Sequence, residues 1–368
     1  MEAIKKAVGS FGLPRVIIFA FFVFLLCMAA VYNIGIPALL GDVIRRWGMF
    51  GIMVLAMVPA IQSGIGPNFG ISLGIVGGLL GSLISIEMRD LGYFAALTPT
   101  AEEIASGAVR MDDLASIGVA LGFAIFFSGI FGFLYGLLLN RVKGSEMLVS
   151  TYVGFSMVAL FNIMWLILPF RSGTSIWPIA GEGLRTTISL ADDFGGVFND
   201  LLAFDLGGMS VPTGLLLVFF LACLLVWLFT RSRLGMMMSA AGSNPNYAKA
   251  VGINVNRMRI LGTTISTVLG GVGIIAFAQS FGFLQLYNAP LMMGFTVVAS
   301  VLVGGASVGK ARILHVLIGT FLFQGILTVA IPVANEMVPE GNLSEILRMI
   351  ISNGIILYAL SKSREAAR

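Results

Sequence analysis

Residues 242–259 read GSNPNYAKAVGINVNRMR, a polar and basic stretch that separates two long apolar segments of the chain. The stretch has the punctuation of a very short helix. Asn244 can cap the free backbone N–H groups, Pro245 suits the first helical position, and Gly252 can adopt the left-handed turn that ends the helix. Because a two-turn helix is not stable alone, we predict that it docks on another structure.

The composition around this stretch is that of an integral membrane protein. Hydrophobic residues make up 58% of the 368 residues and charged residues 11%, against about 25% charged residues in soluble domains. The 46 glycines agree with this class, because small residues let transmembrane helices approach closely. We therefore expect an all-α polytopic membrane protein, with a single transmembrane domain over residues 1–368.

Ten apolar segments are predicted to span the membrane, and each boundary is approximate. They are residues 16–33, 47–64, 68–87, 116–139, 146–168, 213–230, 259–280, 287–303, 313–332 and 346–361. The break between the second and third spans, at residues 63–70, is rich in glycine and contains proline, which predicts a broken or re-entrant helix. Inside a bilayer such a break persists only where protein or a water-filled cavity lines it.

The basic residues orient these spans, because Lys and Arg collect on the cytoplasmic side of a membrane. If the N-terminus and the C-terminus are both cytoplasmic, 15 of the 22 basic residues lie inside. This layout places Arg45 and Arg46 outside, against the rule. It also predicts two long extracytoplasmic loops, residues 88–115 and 169–212, each with an excess of acids. Such loops suit the docking of an extracytoplasmic partner, and the alternative is a solvated loop without one.

No motif for catalysis, metal binding or nucleic-acid binding is apparent in the sequence. Cys27 and Cys223 lie inside apolar runs, without a C-x-x-C pair or a metal-ligand cluster. Residues 304–311 have the spacing of a phosphate-binding loop, but Ala311 replaces the hydroxyl residue that would bind magnesium, so we predict a helix junction there.

No charged residue lies in the middle of a predicted span, which disfavours proton- or sodium-coupled transport. We predict a chain that is not an enzyme and holds no cofactor or metal.

Neutral polar and aromatic residues beside the interruptions are the candidates for a substrate pathway. Neutral amides suit a neutral hydroxylated ligand, because both partners donate and accept hydrogen bonds. The alternative is that these amides form hydrogen bonds between helices, which is common in membrane bundles. The candidates are Gln62, Asn68 and Phe69 at the first break, and Gln279, Gln285 and Asn288 at the turn between the seventh and eighth spans.

Two stretches of the chain resemble a known family. One runs from Thr230 to Val255, and the other, residues 293–307, reads MGFTVVASVLVGGAS. Together they resemble the permease subunits of bacterial ABC (ATP-binding cassette) importers for simple sugars, nucleosides and branched-chain amino acids, with ribose permeases as the nearer branch. The resemblance implies an inner-membrane protein whose residues 231–258 form a cytoplasmic coupling loop.

The resemblance also implies partners and site residues. A cytoplasmic ABC ATPase, which binds ATP and magnesium, would receive the short helix in a groove. A second permease copy or a homologous permease, membrane lipid and an extracytoplasmic solute-binding protein would complete the assembly. The implied ATPase-coupling residues are Gly242, Asn244, Pro245, Tyr247, Ala248, Val251, Gly252, Ile253 and Asn254, with Tyr247, Ala248 and Val251 as the contact face.

The solute stays open between alternatives at this stage. Residues 66–72 read GPNFGIS and lack both the aspartate–leucine–serine stretch of sugar permeases and the asparagine–glycine–glutamate pattern of nucleoside permeases. We expect a small neutral hydroxylated solute, a simple sugar or a nucleoside, with a branched-chain amino acid as the alternative. A stand-alone channel or facilitator is the alternative from another class, and it would not need the capped helix.

Overall fold

The computed structural model of the chain describes residues 13–97, 110–170, 172–173, 175–176, 184–337, 349–350 and 353–354, most of which form a bundle of α-helices. The helices are α1 (Leu13–Val31), α2 (Ile36–Leu55), α3 (Met57–Gln62), α4 (Ser72–Asp90), α5 (Met111–Arg141), α6 (Glu146–Ile167), α7 (Val197–Asp200), α8 (Thr213–Arg231), α9 (Arg233–Ser243), α10 (Pro245–Ala250), α11 (Val255–Phe281), α12 (Asn288–Val303) and α13 (Ile313–Met337).

Among the residues that the structure describes, seven helical stretches are long and apolar enough to cross a membrane. They are Ile36–Gln62, Phe69–Asp90, Met111–Arg141, Glu146–Ile167, Thr213–Arg231, Val255–Phe281 and Ile313–Met337. Two shorter apolar helices, Arg15–Val31 and Asn288–Val303, overlap the predicted first and eighth spans. The helical, multi-span class is confirmed, whereas the number ten and the side of each terminus stay predictions. The predicted span at 346–361 lies mostly outside the described residues.

The second predicted span differs from the sequence-based prediction in where it begins and how it ends. Helix α2 begins at Ile36, so Arg45 and Arg46 are helical and the predicted start of this span at residue 47 is too late, whereas their place outside the membrane stays a prediction. Asp42, Arg45 and Arg46 lower the hydropathy of this part of the sequence, so it did not look like a membrane span. In the helix, Asp42 and Arg45 form an ion pair on one face. At the other end, α3 stops at Gln62, and a non-helical stretch leads to a 3-10 turn before α4. The predicted break is therefore present.

Close backbone contacts hold α4 between α5 and α11. A Cβ atom at Gly74 would overlap the carbonyl oxygen of Thr267 on α11, and a Cβ at Gly81 would lie 2.5 Å from the carbonyl oxygen of Ala120 on α5. Helices in a bilayer gain little from excluding apolar surface, because lipid is equally apolar, so such packing stabilises the bundle. The glycines of α4 thus set the distances between the three helices.

Two pairs of short antiparallel strands lie at one end of the bundle. The strands are β1 (Thr187–Ser189), β2 (Phe204–Leu206), β3 (Met209–Val211) and β4 (Phe283–Gln285), with β1 paired to β4 and β2 to β3. The β1–β4 pair joins the predicted second outer loop to the chain just after α11. This loop therefore has regular structure in part.

The charges of the described residues divide the bundle into a basic end and an acidic end. The basic end holds the residues 62–68, 142–147 and 304–312, which meet where Gly66 contacts Met147 and Val308. The charged residues near this end are Arg15, Arg141, Lys143, Glu146, Arg231, Arg233, Lys249, Arg257, Arg259, Lys310 and Arg312. Those at the opposite, acidic end include the acids Glu87, Asp90, Asp112, Asp113, Asp192, Asp193, Asp200 and Asp205 and fewer bases, among them Arg89, Arg110 and Arg185.

A buried ionic cluster ties α4 to α5 at the acidic end. The guanidinium of Arg89 donates to Asp113 at 2.7 Å and to Asp112 at 2.6 Å, and its Nε lies 3.9 Å from Asp193. Arg110 adds a longer contact, with its Nε 3.8 Å from Asp112, so two arginines face three buried carboxylates. Burial raises the pKa of Asp193 to about 6, although the attraction of Arg89 opposes the shift.

The raised pKa of Asp193 predicts a loss of stability as the pH rises. Its pKa is higher in the folded than in the unfolded chain, so its contribution is complete below about pH 4 and is lost as the pH rises through about 6. Asp193→Asn keeps the neutral form at every pH. We expect it to raise the thermal unfolding midpoint more at about pH 8 than at about pH 5. The exposed Asp205→Asn is the matched control, and equal effects of Asp193→Asn at both pH values would contradict the prediction.

Candidate functional site: the coupling segment and a neutral crevice

Residues 231–258, which we call the coupling segment, form short helices that are capped by their own side chains. Asn244 Oδ1 accepts a hydrogen bond from the backbone N–H of Tyr247 at 3.0 Å, at the start of α10. Pro245 occupies the first helical position, and Gly252 follows the helix with φ at 84°. Asn254 then caps α11 by accepting from the Arg257 N–H at 3.1 Å. The local geometry predicted for this stretch is therefore observed.

The large exposed apolar side chains here are Tyr247, in α10, and Val251, the residue that directly follows the helix, which are 61% and 53% exposed. The two residues are four apart and so lie on the same side of the helix. Ala248 is fully buried and packs against Met238 and Val255. Its predicted place in the contact face is therefore wrong, because the helix is docked on α9 and α11 through this residue.

The coupling segment also contacts the break between α3 and α4. Gly242, in the last turn of α9, faces Gln62 and Gly64, and a Cβ at position 242 would overlap the carbonyl oxygen of Gln62. The same Cβ would lie 2.6 Å from the backbone nitrogen of Gly64. Gly64 itself has φ at 80°, a conformation that favours glycine. Backbone thus meets backbone where α9 contacts the break.

Hydrogen bonds fix both sides of the break. Gln62 Nε2 donates to the carbonyl oxygen of Ala311 at 3.0 Å. Asn68 is fully buried, and its Nδ2 donates to Ser266 Oγ at 2.9 Å while its Oδ1 accepts from the Tyr135 hydroxyl at 3.1 Å. In this conformation Gln62 and Asn68 therefore act as links between segments, which was the alternative to a substrate contact.

The other three amide candidates lie at the acidic end, away from the break. Gln279 is fully buried, and its side chain accepts from the Phe198 N–H and donates to the Ala276 carbonyl, both at 3.1 Å. Gln285 lies in β4, and Asn288 is exposed at the start of α12. The structure thus does not bring the six pathway candidates together.

A small crevice without charged residues lies beside the break, and Phe69 is the pathway candidate that lines it. Its lining residues are Phe69, Ser72, Thr151, Gly154, Phe155, Leu291, Gly294 and Phe295. The ring centroids of Phe69 and Phe295 are 5.8 Å apart, and those of Phe155 and Phe295 are 6.2 Å apart. These rings leave only about 10 Å³ of free volume, so the crevice is closed in this conformation.

Two hydroxyl groups give this crevice its polarity. Ser72 Oγ donates to the carbonyl oxygen of Pro290 at 2.6 Å, and Thr151 Oγ1 donates to that of Met147 at 2.9 Å. Both oxygens keep lone pairs that can accept from a ligand. Sequence reasoning missed Thr151, because helix α6 is apolar on every side and its inward face cannot be read from periodicity.

Comparison with known proteins identifies a family and several relatives to which this chain is similar. The family model described as "Branched-chain amino acid transport system / permease component" matches residues 39–360. The galactofuranose transporter permease protein YtfT of Escherichia coli (strain K12) is 26% identical over 77% of this chain and 82% of its own length. The probable ABC transporter permease protein YphD of the same strain is 31% identical over 43% of this chain and 49% of its own length.

A further relative is the nucleoside ABC transporter permease protein NupB of Lactococcus lactis subsp. cremoris (strain MG1363), 27% identical over 41% of this chain and 39% of its own length. No solved structure matches the chain. Permeases of this family are non-enzymatic, multi-pass inner-membrane subunits, and their ATPase is a separate chain. Since the family model spans residues 39–360, the chain belongs to this permease family and is the transport subunit of an ABC importer.

Proposed function

We propose that this permease imports a small neutral hydroxylated solute, a simple sugar or a nucleoside. The observation that carries the proposal is the neutral crevice beside the break, with three phenylalanine rings and the hydroxyls of Ser72 and Thr151. Aromatic faces pack against sugar or base rings, and hydroxyls can both accept and donate hydrogen bonds to such a solute. The names of the galactofuranose and nucleoside relatives agree with this class.

A branched-chain amino acid is the second candidate, since the family description names it. Its ammonium and carboxylate groups would need charged or strongly polar partners once water is removed. None of the residues that line the crevice is charged. The sugar or nucleoside proposal is therefore better supported.

We further propose that the coupling segment docks on a partner ATPase at the cytoplasmic face. Tyr247 and Val251 are exposed on α10, and the basic residues of this end favour the cytoplasmic side. The same rule favours cytoplasmic termini and extracytoplasmic loops at the acidic end, where a solute-binding protein would dock. ATP and magnesium would bind to the ATPase, and this chain would supply no cofactor site.

In the proposed cycle, closure of the ATPase pair moves α10 together with α9. Gly242 passes the displacement to Gln62 and Gly64 by direct backbone contact. Phe69 follows the same break, so a shift there separates its ring from Phe295 and opens the crevice. A coupling of this kind between two sites is typically about 1–3 kcal/mol.

A second permease copy or a homologous permease would cover part of the apolar surface. Within one chain, only 28%, 22% and 28% of the 18-residue apolar stretches of α5, α6 and α8 are buried. Such faces need either lipid or another subunit. We propose that both are present, as expected for a paired permease.

Uptake by the complete importer tests the solute class. The permease, its ATPase and its solute-binding protein would be reconstituted in liposomes with ATP on the ATPase side. Uptake of labelled ribose, uridine and leucine would then be compared. We expect ATP-dependent uptake of ribose or uridine, and uptake of leucine alone would overturn the proposal.

Thr151→Val tests the crevice itself, because it keeps the side-chain shape and removes the hydroxyl. Loss of one hydrogen bond of about 1 kcal/mol should raise the KM for the solute about fivefold. Thr296→Val is the matched control, since Thr296 also bonds to the carbonyl four residues earlier but does not line the crevice. Equal KM values for the two variants would argue against a solute contact at Thr151.

A further inference from the structure

An open apolar cleft lies between α1, α2 and α13, apart from the crevice and from the coupling segment. Its volume of about 740 Å³ falls within the roughly 300–1,000 Å³ of ligand-binding pockets. The lining residues are Arg15, Val16, Phe19, Trp47, Leu317, Ile318, Phe321 and Leu322. Apart from Arg15 the walls are thus formed by hydrophobic side chains.

The walls are fixed by aromatic packing and offer little to a polar ligand. The indole N–H of Trp47 donates to the carbonyl oxygen of Leu317 at 3.0 Å, so this polar group is already used. The ring of Phe321 packs edge-on against Trp47, with centroids 5.7 Å apart. It also packs edge-on against Phe22, with centroids 5.8 Å apart. Such walls suit a hydrocarbon chain.

Three cations gather where the cleft meets the basic end. Arg15 Nη2 donates to the carbonyl oxygen of Gly305 at 3.4 Å, and its guanidinium occupies the place that a side chain at position 305 would take. Lys310 and Arg312 belong to the turn that follows Gly305, in which Ser307 and Lys310 form an isolated bridge and Arg312 directly precedes α13. In the part of the chain that the structure describes, none of the three cations forms an ion pair.

This arrangement matches the chemistry of an anionic phospholipid. Basic pockets between helices on the cytoplasmic side of a membrane bind anionic headgroups, and acyl chains occupy adjoining apolar surface. The cleft lies at the basic end. At this end the carbonyl oxygen of Ala311 also accepts a hydrogen bond from Gln62, beside the coupling segment. We propose that the cleft binds an anionic phospholipid, with its phosphate held by Arg15, Lys310 and Arg312 and an acyl chain along Phe19, Ile318 and Phe321.

Charge complementarity favours a lipid over a protein occupant. The apolar C-terminal stretch, residues 346–361, is followed by Lys362, Arg364 and Arg368 against the single acid Glu365. A second copy would present the same cations at this end. Neither the C-terminal stretch nor a second copy brings a negative charge that would neutralise the three cations, whereas a phospholipid headgroup does.

Lipid retention by the full-length chain tests the proposal. The chain would be exchanged into nanodiscs of equal parts phosphatidylglycerol and phosphatidylcholine, released into mild detergent, and analysed by native mass spectrometry. We expect preferential retention of phosphatidylglycerol, and a loss of about fivefold in affinity for each cation removed in Arg15→Gln/Arg312→Gln. Arg141→Gln/Lys143→Gln, which removes two exposed cations elsewhere at the basic end, should retain the preference.

Two further measurements keep the proposal falsifiable if the charge variants fold poorly. Ile318→Trp should fill the cleft and lower phosphatidylglycerol retention without a change of charge. A photo-reactive benzoylphenylalanine at position 318 should give lipid adducts in native membranes. Equal retention of both lipids by the unmodified chain would overturn the proposal, as would a cross-link from position 318 to residues 346–361 or to a second copy.

Discussion

Gly242→Ala should lower ATP-dependent uptake by about 5- to 150-fold, the range of a coupling free energy of about 1–3 kcal/mol. The added methyl group would overlap the carbonyl oxygen of Gln62 and lie 2.6 Å from the nitrogen of Gly64. Both neighbours are backbone atoms and cannot rotate away, so α9 must separate from the break. Uptake in liposomes with the ATPase and the solute-binding protein measures the effect.

A matched glycine controls for the substitution. Gly118 lies in α5, and a Cβ atom added there would have no atom within 4 Å beyond its own stretch of helix, so Gly118→Ala adds the same methyl group to a helix without a clash. Alanine is the better helix former at both positions, so helix propensity does not distinguish the two variants. We expect normal uptake for Gly118→Ala. A Gly242→Ala variant that unfolds at the normal temperature, retains its ATPase and transports normally would refute a coupling contact at Gly242.

Tyr247→Ala combined with Val251→Ala should weaken ATPase binding by about 30-fold or more, because tyrosine is a frequent hot spot in interfaces and hot spots are each worth about 2 kcal/mol or more. These two residues carry the exposed apolar surface of α10. The measurement is co-purification of the ATPase from mild detergent, followed by an assay of ATP hydrolysis on the eluate.

The control for this variant removes the same residue types from the other end of the bundle. Tyr93 and Val31 are 69% and 71% exposed, so Tyr93→Ala/Val31→Ala removes comparable exposed surface. We expect this control to retain the ATPase. If both double variants retain it equally, α10 is not the docking element, and another part of the basic end must be sought.

The sequence predicted those features whose determinants are local. The cap at Asn244, the start at Pro245 and the turn at Gly252 all lie within nine residues, and each follows from the conformational preference of one residue type. The multi-span class followed from composition alone. By contrast, the start of α2 was misplaced because Arg45 and Arg46 lower the hydropathy of its first half, where Arg45 pairs with Asp42.

The features that escaped prediction depend on which helix faces which. Ala248 points inward because α9 and α11 lie beneath α10, and no residue of α10 itself reveals this. The crevice unites residues of α4, α6 and α12, whose helices are apolar on all sides, so periodicity does not identify a shared face. Asn68 and Gln279 were recognised as intramembrane amides, but their bonds to other segments arise only in three dimensions.

The self-capping of α10 means that a partner meets an element that is already folded. Ordering a backbone costs about 1–2 kcal/mol per residue, and a disordered loop of this length would lose that free energy on association. In this chain the ordering takes place during folding, where the Asn244 cap and the burial of Ala248 offset its cost. Association therefore begins from a preorganised ligand, and the favourable contacts of Tyr247 and Val251 contribute to affinity without first having to offset a loss of conformational entropy.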